Sequence, residues 1–269
     1  LARLFEFLGY LVISDNHVGD WGTQYGILLY QYKNKFGTEI KKDLTIEELE
    51  KMYVDFMALE KEDENLREVA KAELKKLQDG DKINLKLWKN FCVISRAEFE
   101  KIYARLKIRK FDLWHGESFY NDQLNKIVAQ TIKKDIAEKS DGATIINLEK
   151  FNLPPMLIQK SDGAFLYATT DLATLEFRHK KFKPTEILYV VANQQALHFE
   201  QLFAAGKILK FYDKEKLVHI KFGLVLGSDG KKMSTREGGV VKLTDLITEI
   251  ITKAREVVEE KNPDLSAKE

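Results

Sequence analysis

The sequence Gly-Ser-Asp-Gly-Lys-Lys-Met-Ser-Thr-Arg-Glu-Gly-Gly occupies residues 227–239 and connects two apolar runs at 222–226 and 240–243. The apolar runs are typical of buried strands or strand-like segments. Glycines at both ends give the connecting loop backbone angles that are closed to other residues, so the loop can move. Its cations, above all Lys232 and Arg236, would meet the phosphates of a nucleotide if the loop closed over one. Taken alone, the same pattern also fits a solvated basic hairpin.

Composition limits the classes of protein that this chain can represent. Its 269 residues suffice for one large or two moderate domains, and the formal net charge is only +1. A contact with nucleic acid would therefore be local rather than driven by a global basic field. The single cysteine, Cys92, excludes an internal disulfide and a multi-cysteine zinc site. No metal site and no membrane-spanning run is visible in the sequence. No secretory signal is visible either, which together with the single cysteine predicts a cytoplasmic protein.

The alternation of elements predicts an α/β fold interrupted by helices. Residues 10–13 read as a strand, 14–26 as a polar loop and the following residues to about Tyr32 as a helix, an order that places side chains at the carboxyl edge of a sheet. Thr45 and Glu48 form a capping box within a charged helical block at 33–107. Further strands are predicted at 108–114, 143–148, 186–192 and 217–226, with a hairpin at 156–167 and helices at 119–139, 171–181, 194–210 and 243–260.

Four polar residues follow predicted strands and form a candidate ligand site. Tyr167 and Asp171 flank the start of a predicted helix, where a carboxylate and an aromatic hydroxyl suit a guanidinium. A simpler interpretation makes Asp171 a helix cap and Tyr167 a packed aromatic residue. Gln195 and His198 lie three residues apart on one helix face, where they could equally be a surface amide and an amphipathic histidine. His17, in the polar loop, is on its own more typical of packing than of catalysis.

Several of these segments resemble one family. Residues 232–236, Lys-Met-Ser-Thr-Arg, resemble the lysine-methionine-serine-lysine-serine loop of class I aminoacyl-tRNA synthetases. Residues 15–24, Asp-Asn-His-Val-Gly-Asp-Trp-Gly-Thr-Gln, and the segments around Asp171 and Gln195 are similar to arginyl-tRNA synthetases in the family's order, over nearly the whole chain. His17-Val-Gly-Asp20 departs from the family's histidine-x-glycine-histidine signature, since an acid at position 20 would repel phosphate. The resemblance implies that this signature lies upstream of Leu1.

The resemblance implies a fold, a reaction and a set of roles. The fold would be a Rossmann-like parallel sheet of class I synthetase type, with its first part at 1–32, a helical insertion at 33–107, its second half at 108–242, and at 243–269 a helix leading to an anticodon-binding domain outside the chain. Arginine would be activated with ATP and Mg²⁺ and passed to tRNA, which would be gripped mainly by domains outside this chain. Catalysis would fall to Lys232 and Ser234, ATP binding to Lys232, Met233, Ser234 and His198, and L-arginine binding to Tyr167, Asp171 and Gln195.

Two further classes remain open at the level of sequence. A small-molecule adenylyltransferase would share the sheet and the loop but would not need the tyrosine, aspartate and glutamine. A non-catalytic synthetase-like module that binds tRNA or protein would keep the fold and lose the phosphate signature. For the chain as it stands, the missing signature predicts a fragment that is inactive alone. A monomer is expected.

Overall fold

The computed structural model describes residues 1–224 and 242–262, which form two compact units. The first unit contains Leu1–Gly22 and Phe111–Leu224, and the second contains Thr23–Lys110 and the described part of Val225–Glu269. The predicted boundaries at residues 32 and 107 thus differ from the unit boundaries, which fall after residues 22 and 110. The predicted loop at 227–239, with Lys232, Met233 and Ser234, lies outside the described residues.

Helices dominate the described residues. In chain order they are α1 (Ala2–Phe7), α2 (Thr23–Phe36), α3 (Ile46–Leu59), α4 (Asn65–Gln78), α5 (Lys82–Arg105), α6 (Asn121–Lys133), α7 (Tyr167–Phe182), α8 (Ala196–Leu209) and α9 (Leu243–Lys261). Short 3-10 helices occupy Glu117–Tyr120, Glu149–Phe151 and Asn193–Gln195. The strands are β1 (Ala137–Ser140), β2 (Ala143–Ile146), β3 (Met156–Gln159), β4 (Glu186–Ala192) and β5 (Lys216–Phe222). None of the described helices is long and apolar enough to cross a bilayer.

The parallel pair in the first unit confirms the predicted α/β pattern. β4 and β5 run parallel, in a register that begins with Glu186 opposite Lys216 and ends with Ala192 opposite Phe222. α8 joins them, as a crossover helix should. A Cβ built on Gly206 of α8 would lie 2.5 Å from Leu175 of α7, so the two helices pack closely there. The surrounding core contains residues of α6, α7, α8, β2, β3 and the 3-10 helix Glu117–Tyr120. Its fully buried residues include Tyr120, Ile127, Ile146, Ile158, Leu172, Leu175 and Leu202.

Four sequence predictions fail in or next to the first unit. β1, β2 and β3 form an antiparallel sheet, and the helix predicted over 119–139 ends at Lys133, so its last predicted residues lie in β1 instead. The segments 10–13 and 108–114 form no named strand; the ladder there is limited to one parallel bridge between Asp15 and Leu113. Leu11 is 93% exposed and Ile13 is also exposed, while Val12 between them is half-buried. A short apolar run indicates a strand only where a neighbouring strand can pair with it.

The second unit is helical, as predicted for the insertion. The capping box between Thr45 and Glu48 is confirmed at the start of α3. α4 ends at Gln78, and Gly80 follows with a φ of +86°, the left-handed conformation that glycine adopts most readily. α2, predicted to end near Tyr32, continues to Phe36 and packs on α4. A Cβ built on Gly26 of α2 would lie 2.1 Å from the Ala70 carbonyl oxygen, which explains why a glycine stands there.

Candidate functional site

Asp171 lies inside α7 rather than at its start. The helix begins at Tyr167, and its N-cap residue Leu166 makes no side-chain capping hydrogen bond. Asp171 therefore belongs to the second turn, beyond the amides that a capping side chain reaches. The interpretation of Asp171 as a helix cap is wrong. The Thr169 hydroxyl donates to the Ile158 carbonyl and so ties the first turn of α7 to β3.

His198 and Tyr167 join Asp171 in one cluster. The Nε2 of His198 donates to Oδ2 of Asp171 over 2.6 Å, and the His198 side chain is buried. The ring of Tyr167 meets that of His198 edge-on with centroids 4.7 Å apart, while its side chain stays half exposed. Gln195 is exposed and lies at the end of the 3-10 helix, one turn before His198. His198 thus contacts both Tyr167 and Asp171 and brings together three of the four candidate residues in the first unit.

His17 is the first site residue that the sequence reasoning missed. Its Nδ1 lies 2.9 Å from the His115 carbonyl oxygen, which can only accept, so Nδ1 carries the proton. Its Nε2 lies 3.7 Å from Oδ1 of Asp171. Burial lowers the pKa of His17, and this effect outweighs the opposing pull of the Asp171 carboxylate. His17 is therefore neutral at pH 7, with an unprotonated Nε2 on the side of Asp171.

A buried ion pair holds the backbone on which His17 depends. The guanidinium of Arg178, from α7, donates to Oδ2 of Asp15 over 3.2 Å, and both side chains are largely buried. Oδ1 of Asp15 accepts from the His115 amide over 3.1 Å. Together these bonds anchor the backbone amide of His115, the residue whose carbonyl receives the proton of His17. Arg178 and Asp171 belong to the same helix. α7 therefore positions both the Asp171 carboxylate and the guanidinium that helps to hold the loop around His17.

Glu117 is the second missed residue, at the start of the 3-10 helix Glu117–Tyr120. Burial raises the pKa of its carboxyl to about 7, and the negative charges of Asp171 and Asp20 add to the effect. Within the described part of the chain, no lysine or arginine forms an ion pair with Glu117. The sequence did offer a signal for Glu117. His115 and Glu117 directly follow the predicted strand at 108–114, and polar residues after a predicted strand also singled out the loop at 14–26.

Asp20 holds the loop that carries Glu117. Its carboxylate accepts from the Ser118 amide over 2.8 Å and from the Ser118 hydroxyl over 2.7 Å. A Cβ built on Gly116 would lie 2.5 Å from this carboxylate, so only glycine fits at that position without a shift. The position where the sequence departs from a histidine-x-glycine-histidine signature thus has a structural role of its own.

The site is rich in acceptors. Oδ1 of Asp171 and the bare Nε2 of His17 lie side by side, and the charge of Asp171 reaches Glu117. Such a set suits a cationic ligand with several N–H donors, above all a planar guanidinium. In the ranges 1–224 and 242–262, no group of three or more histidine, cysteine, aspartate or glutamate side chains is placed to hold a metal ion.

Comparison with known proteins identifies the family. Residues 1–269 match the family model described as tRNA synthetases class I (R), catalytic domain. The chain belongs to this family. It is 44% identical over 267 residues to an arginine–tRNA ligase of Fusobacterium nucleatum, covering 99% of this chain and 46% of that protein. It is also 44% identical over 269 residues to the enzyme of that name from Clostridium perfringens, covering all of this chain and 47% of the relative. The chain thus spans about half the length of these relatives.

Solved structures of the family share the fold. The arginyl-tRNA synthetase of Plasmodium falciparum superposes with a TM-score of 0.73 at 28% identity, over 97% of this chain and 43% of that one. The enzyme of Thermus thermophilus superposes with a TM-score of 0.69 at 21% identity, over 99% of this chain and 50% of that one. The Rossmann-like class I synthetase fold predicted from the sequence is therefore confirmed, with β4 and β5 as its parallel strands and α8 as the helix that connects them.

Proposed function

We propose that the protein that carries this chain activates L-arginine with ATP and transfers it to tRNA. Membership of the family and the names of the relatives support this proposal. The observation that carries it is the pair of carboxylates from Asp171 and Glu117, which repel each other in a partly buried site where no lysine or arginine of the described residues pairs with either of them. A bound guanidinium would supply the missing positive charge.

In this proposal Asp171 and Tyr167 contact the arginine side chain. The hydrogen bond from His198 occupies Oδ2 of Asp171 and leaves Oδ1 for the ligand. The half-exposed hydroxyl of Tyr167 is accessible to the same ligand. Gln195, exposed at the start of the next helix, would close the arginine site from the side of β4. Glu117 is the additional acceptor that the structure suggests.

ATP would be bound by Lys232, Met233 and Ser234, in the loop that lies outside the described residues. His198 was predicted as a fourth nucleotide contact, but its buried hydrogen bond to Asp171 favours a role in the arginine site. Mg²⁺ usually binds through substrate phosphates and one or two carboxylates, so we propose that it enters with ATP. The ion would neutralise charge on the phosphates.

The proposed reaction needs no covalent enzyme intermediate. A carboxylate oxygen of arginine attacks the α-phosphorus of ATP, the bond to the β-phosphate oxygen breaks, and pyrophosphate leaves. A ribose hydroxyl of tRNA then attacks the activated carbonyl and releases AMP. The protein contributes by positioning and by stabilising charge, with Lys232 on the leaving pyrophosphate and Ser234 shaping the loop. We place this activity in the cytoplasm and in a monomer.

The test is pyrophosphate exchange into ATP, measured on the protein at its full natural length. We expect exchange that depends on arginine and is absent with lysine or citrulline. Exchange with a different carboxylic acid and none with arginine would point instead to a small-molecule adenylyltransferase. Binding of tRNA without any exchange would point to a non-catalytic module.

A further inference from the structure

The geometry points to His17 as a further specificity-determining residue, which accepts a hydrogen bond from the guanidinium and so selects it over the isosteric, uncharged ureido group. This inference rests on the proposed function, because it concerns the same arginine site. It assigns a ligand contact to a residue that sequence patterns treated as packing.

The tautomer of His17 is fixed from outside the site. A backbone carbonyl cannot donate, so the contact of 2.9 Å between Nδ1 and the His115 oxygen requires the proton on Nδ1. The residue that carries this carbonyl is anchored through its amide, which donates to Asp15, and Asp15 is held in turn by Arg178. A neutral His17 therefore presents Nε2 as an acceptor.

The partner of that acceptor is missing from the described residues. Nε2 lies 3.7 Å from Oδ1 of Asp171, too far for a hydrogen bond, and between two acceptors there is no proton to share. Polar atoms in partly buried sites are normally paired, and the His17 side chain is only 25% exposed. One N–H of a ligand placed between the two atoms would satisfy both. The ring contact with Tyr120, at 5.7 Å, orients the imidazole but gives Nε2 no partner.

The acceptors explain selection as well as binding. A guanidinium carries five N–H donors in one plane and no acceptor. A ureido group has the same shape, but an oxygen replaces one nitrogen and removes donors together with the charge. Because Asp171 Oδ1 and His17 Nε2 lie side by side as acceptors, a ureido oxygen placed between them would meet an acceptor where the guanidinium supplies a donor. Sites that hydrogen-bond a particular donor reject analogues without it strongly, because buried polar groups are then left unpaired.

Two substitutions separate the two nitrogens of His17. In His17→Asn the amide takes the place of Nδ1, which retains the bond to the His115 carbonyl but leaves nothing at Nε2. In His17→Gln the amide reaches the position of Nε2, where it can turn either its oxygen or its NH₂ toward the ligand. His179→Gln is the matched control: it lies on α7 two turns beyond Asp171, about 12 Å along the axis, and pairs with Glu215 instead.

The measurement is the dissociation constant of arginine, citrulline and ATP for each protein at its full natural length. We expect His17→Asn to weaken arginine binding about tenfold or more, the loss of one hydrogen bond to a charged group, with ATP unchanged. We expect His17→Gln to bind arginine within about threefold of the unaltered protein and to lose about tenfold of its preference over citrulline. The control should match the unaltered protein.

A second measurement does not depend on any variant. In protein labelled with ¹⁵N-histidine, Nε2 of His17 should resonate as an unprotonated nitrogen and shift when arginine is added. Unchanged preference in both variants, or no shift on saturation with arginine, would overturn the role of His17 and leave the proposed function standing. If the unaltered protein binds no arginine, the proposed function fails as well.

Discussion

His198 Nε2 lies 2.6 Å from Asp171 Oδ2, with His198 buried at the start of α8 and Asp171 in the second turn of α7. The bond joins two helices that flank β4 and fixes the carboxylate in one rotamer. The two carboxylate oxygens of Asp171 therefore differ: Oδ2 accepts the hydrogen bond from His198, and Oδ1 lies toward His17. The proposed arginine site would therefore depend on a residue that need not touch arginine.

Removing this bond should affect arginine more than ATP. We expect His198→Ala to raise the KM for arginine by about 3–30-fold, the loss of roughly one hydrogen bond to a charged acceptor, while the KM for ATP stays the same. His198→Gln, which can donate from a similar position, should restore much of the affinity. Pyrophosphate exchange with each substrate varied in turn gives both constants. An increase in the KM for ATP alone would return His198 to the nucleotide site predicted from the sequence.

Neutralising Asp171 tests the charge of the site directly. Asp171→Asn should weaken arginine binding by about 1.5–3 kcal/mol, the range for a hydrogen bond between charged partners. Because Asp171 is not a helix cap, stability should not fall through loss of capping. Asp162→Asn is the control, since Asp162 is exposed in the turn before α7 and bonds only to the Ala164 amide. Calorimetric titration with arginine measures both variants, and an unchanged affinity in Asp171→Asn would contradict the arginine site.

Arginine binding should depend on pH through Glu117. Its carboxyl has a pKa of about 7 in the folded protein, so half of it is uncharged at neutral pH before arginine binds. A guanidinium favours the charged form, and binding should therefore release protons and strengthen as pH rises from about 6 to 8. Titrations in two buffers with different ionisation enthalpies detect this release. His17 gains a proton only at lower pH, since its pKa is lowered.

The same carboxyl should influence stability with the opposite sign. The folded-state pKa of Glu117 lies above the usual value of 4.5, so its contribution to the free energy of unfolding is present at acidic pH and is lost as pH rises through about 7. Without arginine, we expect Glu117→Gln to be more stable than the unaltered protein at pH 8 and similar to it at pH 4.5. Chemical denaturation at the two pH values distinguishes the cases. In the binding experiment, equal proton release on arginine binding by Glu117→Gln and by the unaltered protein would exclude Glu117 as the group that loses the proton.

Lys232 belongs to the nucleotide part of the proposal. Lys232→Ala should slow arginine-dependent pyrophosphate exchange by about 10²–10³-fold, the usual loss for one donor that acts on transition-state charge. The dissociation constant of arginine should barely change, because Lys232 is proposed to act on phosphate. Lys253→Ala, which removes an exposed pair with Glu249 on α9, provides the control for loss of a lysine. Near-normal exchange in Lys232→Ala would restore the interpretation as a solvated basic hairpin.

A buried carboxylate should matter to the helical unit. Glu73 on α4 contacts Lys33, Lys76 and Asn84; burial alone would raise its pKa, but these three bonds hold it at about 2. Glu73→Gln should lower the free energy of unfolding by about 1.5–3 kcal/mol at pH 7. The difference should shrink as pH falls from about 4.5 toward 2, because the folded-state pKa is the lower one. Glu68→Gln, in an exposed pair with Lys71 on the same helix, should change little.

Local sequence determined the elements whose signals are local. The capping box at Thr45 and Glu48 marks the start of α3, and Gly80 marks the end of α4, because both act within one turn of a helix. β4 and α8 were placed within two residues by their apolar patterns. The order of motifs identified the family, which needs no knowledge of contacts. Tyr167, Asp171 and His198 could be chosen as candidates because each follows a predicted strand or turn.

Only the tertiary structure decided how those residues work together. His17 and His115 lie 98 positions apart, and Asp15 and Arg178 lie 163 apart, so no local pattern reveals that they fix one tautomer. The raised pKa of Glu117 comes from its burial and from the proximity of carboxylates on other segments. Both conditions arise only when the chain folds. The apolar run at 10–13 forms no named strand, although the pattern alone predicts one. The sequence specifies which side chains are present and the local backbone structure around them. Long-range packing sets the protonation state of those side chains and whether a segment pairs as a strand.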